Sequence, residues 1–147
     1  VIKHIPGHGR TSSDSHLILP VIKDNYKKLL KSDFACFKGC KSLFAMSAHV
    51  LFTDIDSKEP ATHSIKIINE VIRKKIGFKG ILISDDISMR ALKNDLITNA
   101  KKALSSGCNL VLHCSGVYGE THKLLKEMPY IDKFTLKKTS EFYNFLS

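Results

Sequence analysis

Two stretches of the chain hold side chains able to move protons or carry negative charge at set spacings. The first is Lys3-His4-Ile5-Pro6-Gly7-His8-Gly9-Arg10, running on to Asp14-Ser15-His16. Gly7 and Gly9 allow positive φ and close backbone approach, so this loop can fold over a ligand. Asp14 and His16 stand two apart, which puts them on one side of an extended segment. A carboxylate beside an imidazole fixes its tautomer and stabilises its protonated form, preparing the histidine for general acid and base work. Taken alone, such a pair is more often a plain surface contact. The stretch lacks the Gly-Lys-Ser/Thr ending that a phosphate cradle needs. His4, His8 and His16 offer imidazoles to a metal, yet no carboxylate or cysteine joins them at a typical ligand spacing, so no metal is expected.

The second stretch is Ile81-Leu82-Ile83-Ser84-Asp85-Asp86-Ile87-Ser88-Met89. Two adjacent carboxylates directly after a buried strand are costly to leave unpaired in a cleft. Asp86 or Ser88 could cap a following helix, which accounts for one carboxylate. Asp85 continues the alternation of Ile81 and Ile83, so its side chain is expected on their side of the sheet, at the strand's mouth. A carboxylate held there can act as a covalent nucleophile or stabilise a cation. Together the two stretches offer one carboxylate and one Asp-supported histidine. That pair suits chemistry in which an oxocarbenium-like centre forms while a leaving oxygen is protonated, without demanding it.

These residues need a scaffold, and the pattern of apolar runs predicts one. Val1 to His4 reads as the tail of a strand, and the polar Gly7–Pro20 stretch is too long for a simple connector. A helix is expected over Ile22–Ser32, with Tyr26, Leu29 and Leu30 toward the core. Ser42–His49 reads as a buried strand. A helix from Ser64 carries the stripe Ile65, Ile68, Val71, Ile72 and Ile76. Gly77 and Gly80 bracket a stop before the strand Ile81–Ser84. A helix follows over Met89–Ser106, ending near Gly107, and Leu110–His113 is a fourth strand. Leu124–Met128 and Lys133–Leu146 are helical, the latter with Phe134, Phe142 and Phe145 near one face. Strand, loop and helix repeated four times, with apolar strands, indicates an α/β protein of parallel β/α units. Function in such folds gathers at the carboxyl ends of strands. Lys3-His4, His49, Asp85-Asp86 and His113 all fall at such ends.

The chain has 147 residues, enough for one domain with a core, and is 43% hydrophobic and 25% charged, a soluble globular composition. No run of about 18 apolar residues exists to span a membrane, and no secretory signal is visible. The chain opens on Val1, and residues before it are expected to be missing. A net charge of +9 raises nucleic acid as a partner, but the lysines are scattered. The pairs Lys27-Lys28, Lys74-Lys75, Lys101-Lys102 and Lys137-Lys138 read as solvated faces, without the aromatic interleaving of single-strand binders. No nucleic acid and no membrane are expected as partners. Cys36, Cys40, Cys108 and Cys114 fit neither zinc-ribbon spacing nor a disulfide framework, and read as free thiols of a cytoplasmic protein.

Lys-His-Ile-Pro-Gly-His-Gly-Arg followed by Asp-Ser-His resembles the signature of the β-N-acetylhexosaminidases of glycoside hydrolase family three, in which Ile5 is usually phenylalanine. Met46-Ser47-Ala48-His49-Val50, Pro60-Ala61-Thr62-His63-Ser64, Gly77-Phe78-Lys79-Gly80, Ser84-Asp85-Asp86-Ile87-Ser88-Met89 and Gly107-Cys108-Asn109-Leu110 resemble further blocks of that family, in family order. The resemblance implies a retaining enzyme that removes terminal β-linked N-acetylglucosamine, with Asp85 as nucleophile, His16 as acid/base and Asp14 as its dyad partner. Lys3 and His4 would hold sugar hydroxyls, and His8 and Arg10 would shape the loop. It implies no cofactor, a cytoplasmic setting and muropeptide substrates in peptidoglycan recycling. The family's catalytic domain is a TIM-type (β/α)8 barrel, and such barrels run to about 250 residues. Residues 1–147 supply four β/α units, corresponding to the fifth to eighth, the C-terminal half of the barrel. A half-barrel leaves two sheet edges open. The expected outcomes are an enzyme completed by the missing N-terminal half or a second copy, or an inactive or partner-dependent fragment.

Overall fold

A computed structural model of the protein describes every residue except Ser12, His16 and Ser147. Four strands, β1 (Ile2–Ile5), β3 (Phe44–Ser47), β5 (Ile81–Asp86) and β6 (Leu110–Leu112), form one parallel sheet in the order β1-β3-β5-β6. That is part of a TIM-type barrel. β1 and β6 form its two edges. Phe44 pairs with Ile81, Ala45 with Leu82 and Met46 with Ile83. Neighbours across parallel strands share a face. Ala45 and Leu82 accordingly join the main core with Ile68, Ile72 and Ala103, whereas Ile81 and Ile83 do not. Asp85, two residues beyond Ile83, follows their side.

A second sheet was not expected. β2 (Val21–Ile22) pairs in parallel with β4 (Leu51–Phe52), and the helix expected from Ile22 starts only at Tyr26 (α1, Tyr26–Lys31). The backbone of Val21–Ile22 spends its groups on the partner strand, with the Pro20 carbonyl accepting from Leu51 N–H and that of Ile22 from Thr53 N–H. Asn25 then caps the helix, its side chain accepting from the Lys28 N–H at 2.9 Å. A short 3-10 turn, Phe34–Phe37, follows. Leu29, Phe34 and Phe52 are fully buried, and the Phe34 and Phe52 rings meet edge-on at 5.7 Å.

The helix expected from Ser64 is present but wound more widely. Ile67–Ile76 forms a π-helix ending on Gly77. Its buried positions are Ile67, Ile68, Val71, Ile72 and Ile76, with steps of five (Ile67 to Ile72, Val71 to Ile76) beside the ordinary three and four. Ile65, placed on the stripe by an α-helical period, is 59% exposed, and Ile67 takes the inner position instead. At Gly80 the chain runs so close to its neighbour that a Cβ would lie 2.4 Å from the Leu43 carbonyl oxygen. Only glycine lets β5 enter the sheet beside β3 there.

The helix expected from Met89 begins at Leu96 (α2, Leu96–Ser106). Met89–Asp95 folds as turns that bury Met89, Ala91 and Leu92. Asp95 is the cap, accepting from the backbone of Ile97 and Thr98 and from the Thr98 hydroxyl. Gly107 closes the helix at φ 115°. α3 (Tyr118–Glu127) starts earlier than expected, and α4 (Lys133–Leu146) runs as expected. Phe142 of α4 meets Phe44 edge-on at 5.1 Å, whereas Phe134 and Phe145 are exposed.

Candidate active site

At the carboxyl end of the four-stranded sheet lies an open groove of about 570 Å³, lined by Lys3, His4, His8, Asp85, Asp86 and Cys114 among others. β1 delivers Lys3 and His4, and β5 delivers Asp85. The Lys3–His4 and Ile5–Pro6 peptide bonds are cis. His4 Nε2 stands 3.6 Å from Asp85 Oδ2, and the Asp85 side chain is 13% exposed. Asp85 Oδ1 accepts the N–H of Asp86 at 2.9 Å. Burial lowers the pKa of His4, against the pull of Asp85, and Lys3 and His8 lower it further. A neutral imidazole there can donate to the carboxylate or to a ligand hydroxyl.

The two aspartates have different surroundings. Asp86 Oδ1 accepts from Ser88 N–H at 3.0 Å, Ser88 Oγ–H at 2.8 Å and Cys114 N–H at 3.3 Å. Asp86 therefore closes a turn and joins the β5 and β6 loops. It does not cap the following helix, a task that falls to Asp95 because the intervening chain turns inward. Asp85, held by one backbone N–H, keeps Oδ2 toward the groove.

Of the first loop, His8 lines the groove with its ring 5.8 Å from that of His4. Arg10 points away, its Nε donating to Asp33 at 2.7 Å and a terminal N–H to Ser32 at 3.0 Å. The Asp33 bond raises the Arg10 pKa, and the two bonds together fasten the loop to the chain just after α1. Asp14 is exposed, and its carbonyl accepts from Leu17 and Ile18. Ser15, next to it, is buried against the groove. His16, expected beside Asp14, lies outside the described residues.

Two further strand-end histidines have structural surroundings. His49 is fully buried below the groove, with Nδ1 2.8 Å from Thr62 Oγ1 and Nε2 3.0 Å from the Asp86 carbonyl. Burial lowers its pKa. In the neutral form Nε2–H donates to that carbonyl and Nδ1 accepts from Thr62, so His49 braces the backbone one residue beyond Asp85. Thr62 is the partner that sequence reasoning missed. Its only signal was its place in the Pro-Ala-Thr-His-Ser block. His113 Nε2 meets Glu120 at 3.1 Å and Ser115 at 2.8 Å, outside the groove lining. Among the described residues no group of three or more His, Cys, Asp or Glu side chains is arranged to hold a metal.

The family model described as the glycosyl hydrolase family 3 N terminal domain matches residues 1–137. The chain is similar to the beta-hexosaminidase of Methylobacillus flagellatus, 35% identical over 77% of this chain and 34% of the relative. Among solved structures it resembles a glycoside hydrolase family 3 beta-N-acetylglucosaminidase from Paenibacillus (TM-score 0.78, 32% identity, 85% of this chain and 25% of that one). It also resembles NagZ from Neisseria gonorrhoeae in complex with N-trifluoroacetyl-D-glucosamine (TM-score 0.79, 28% identity, 92% of this chain and 40% of that one). The chain spans about a third of the length of the curated relatives it matches. With the family model matching nearly its whole length and the same parallel strands superposing on these enzymes, the chain belongs to glycosyl hydrolase family 3.

Proposed function

We propose that this chain carries the nucleophile side of a retaining β-N-acetylhexosaminidase acting on terminal β-linked N-acetylglucosamine. The observation that carries the reading is the Asp85 carboxylate at the mouth of β5, open to a groove it shares with Lys3 and His4. Asp85 attacks the anomeric carbon as the bond to the leaving oxygen breaks, and His16, oriented by Asp14, gives that oxygen its proton. Water then attacks the same carbon, His16 takes the water's proton, and the Asp85 ester bond breaks with configuration retained. Lys3 and His4 donate hydrogen bonds to sugar hydroxyls and fix the ring over Asp85. No cofactor enters these steps. Muropeptide fragments of peptidoglycan recycling, met in the cytoplasm, are the natural substrates we assign. Among the described residues no helix is long and apolar enough to cross a membrane.

The open edges at β1 and β6 favour a version of this reading in which the groove is completed by further strands. These come from the N-terminal half of the barrel or from a second copy. The test is hydrolysis of an aryl β-N-acetylglucosaminide by the chain alone and by the chain joined to the first four strands of a relative's barrel. Turnover in either form that disappears in Asp85→Ala supports the assignment. Turnover that survives Asp85→Ala, or no turnover by the joined form, removes it.

A further inference from the structure

At the foot of the sheet, opposite the groove, a cavity of about 890 Å³ opens where the π-helix, α2 and α4 approach the amino ends of β5 and β6. That volume lies within the range of small-molecule sites. Its walls carry four cations, Arg73, Lys79, Lys133 and Lys138, against one carboxylate, Asp132. Lys138 is paired with Glu141 at 2.6 Å. Among the described residues, Arg73, Lys79 and Lys133 enter no ion pair.

Arg73 is the built part of this site. One terminal nitrogen donates to the carbonyls of Phe78 at 3.1 Å and Gly80 at 2.7 Å, and the other to Asn109 Oδ1 at 2.8 Å. All three acceptors are neutral. A guanidinium has five N–H groups, so these bonds leave two unused. Its carbon sits 5.5 Å from the centre of the Phe78 ring, within cation–π range. Burial holds its pKa below the ordinary value, the mark of a charge with little solvent around it. A partly desolvated cation flanked by unpaired lysines concentrates positive potential in a recess with apolar walls. Oxygen-rich dianions are the ligands such a fork recognises.

We propose that this cavity binds a phosphate-bearing small molecule. Its phosphate oxygens take the two unused N–H groups of Arg73 and the ammonium groups of Lys79 and Lys133. Phe134, 45% exposed at the rim, offers a flat apolar wall to whatever the phosphate carries. The site is remote from Asp85 and stands independently of the hydrolase reading.

The test is calorimetric titration of the intact chain with inorganic pyrophosphate and with ADP, coupled to amide chemical-shift mapping. Lys79→Glu/Lys133→Glu is compared with Lys23→Glu/Lys27→Glu, which makes the same change in total charge around the start of α1, outside the cavity lining. Both pairs are exposed, so the fold is retained. We expect saturable binding with shifts at Lys79, Asn109 and Phe134, weakened roughly tenfold or more in the cavity variant only. Tighter binding of ADP than pyrophosphate places a nucleotide in the site, and equal binding assigns it to the phosphate group. No saturable binding, shifts centred elsewhere, or equal weakening in both variants overturns the proposal.

Discussion

Asp85 and Asp86 are identical in type and adjacent, yet the fold assigns them different work. Asp86 is surrounded by N–H and O–H donors that knit two loops together, and Asp85 meets one backbone donor and a histidine across an open groove. Alternation along β5 was enough to place Asp85 from sequence on the side of Ile81 and Ile83, away from the face that packs against the helices. In the proposed mechanism the acid role rests on His16. We expect His16→Ala in the completed enzyme to slow glycosides with poor leaving groups far more than activated aryl glycosides, since only the former need protonation. Equal losses on both substrates would remove the acid role. A second residue-scale prediction concerns His63, buried with Nε2 3.1 Å from the Asn99 carbonyl. Burial, with the nearby Lys102, lowers its pKa to about 4. The unfolded chain, with a histidine pKa near 6.5, binds the proton more readily, so stability is complete above about pH 6.5 and is lost as pH falls toward 4. The loss reaches about 3 kcal/mol at most. His63→Gln keeps a donor to Asn99 and should flatten this limb of a melting-temperature profile. An unchanged acid slope would assign it to other groups.

At the scale of elements, the sequence carried the strands better than the helix starts. β1, β3, β5 and β6 fell where apolar runs placed them, because a buried parallel strand needs little beyond a short apolar segment between turns. Two helices began late for a common reason. Ile22 and Met89 look like the first apolar positions of helices, but the first pairs in β2 and the second is buried in a turn. The true caps, Asn25 and Asp95, are of cap-forming types but stand after the apolar residues from which the two helices were expected. The π-helix shows a different limit. Its apolar residues satisfy a 3.6 period through Ile65 and a wider one through Ile67, and only the packed structure selects the second. The cap assignment is testable. Asp95→Ala removes the acceptor of two backbone N–H groups and a hydroxyl, and should cost about 1 kcal/mol of stability in chemical denaturation. Asp95→Asn should recover most of it, and an alanine variant as stable as the parent would mean that α2 is held by packing alone.

For the whole molecule, what the sequence left open is how the four units meet the rest of a barrel. In a closed barrel every strand pairs on both sides, yet β1 and β6 pair on one. β6 is half-buried throughout, whereas the middle of the sheet holds Ala45, Ile81 and Leu82 with almost no exposure. Local opening follows burial and hydrogen bonding. Native-state hydrogen exchange should therefore rank the amides of β3 and β5 as the most protected, with β1 and β6 exchanging much faster in the isolated chain. The +9 charge opposes self-association at low salt, so raising the salt and protein concentrations together is the condition most favourable to a second copy. If two copies close the barrel, the β1 and β6 amides become as protected as those of β3 and β5, and the sedimenting mass doubles in the same range. If supplying the first four strands of a relative protects those edges and self-association does not, the complementary half is the partner. Edges as slow as the centre in a dilute monomer would contradict the open-sheet architecture itself.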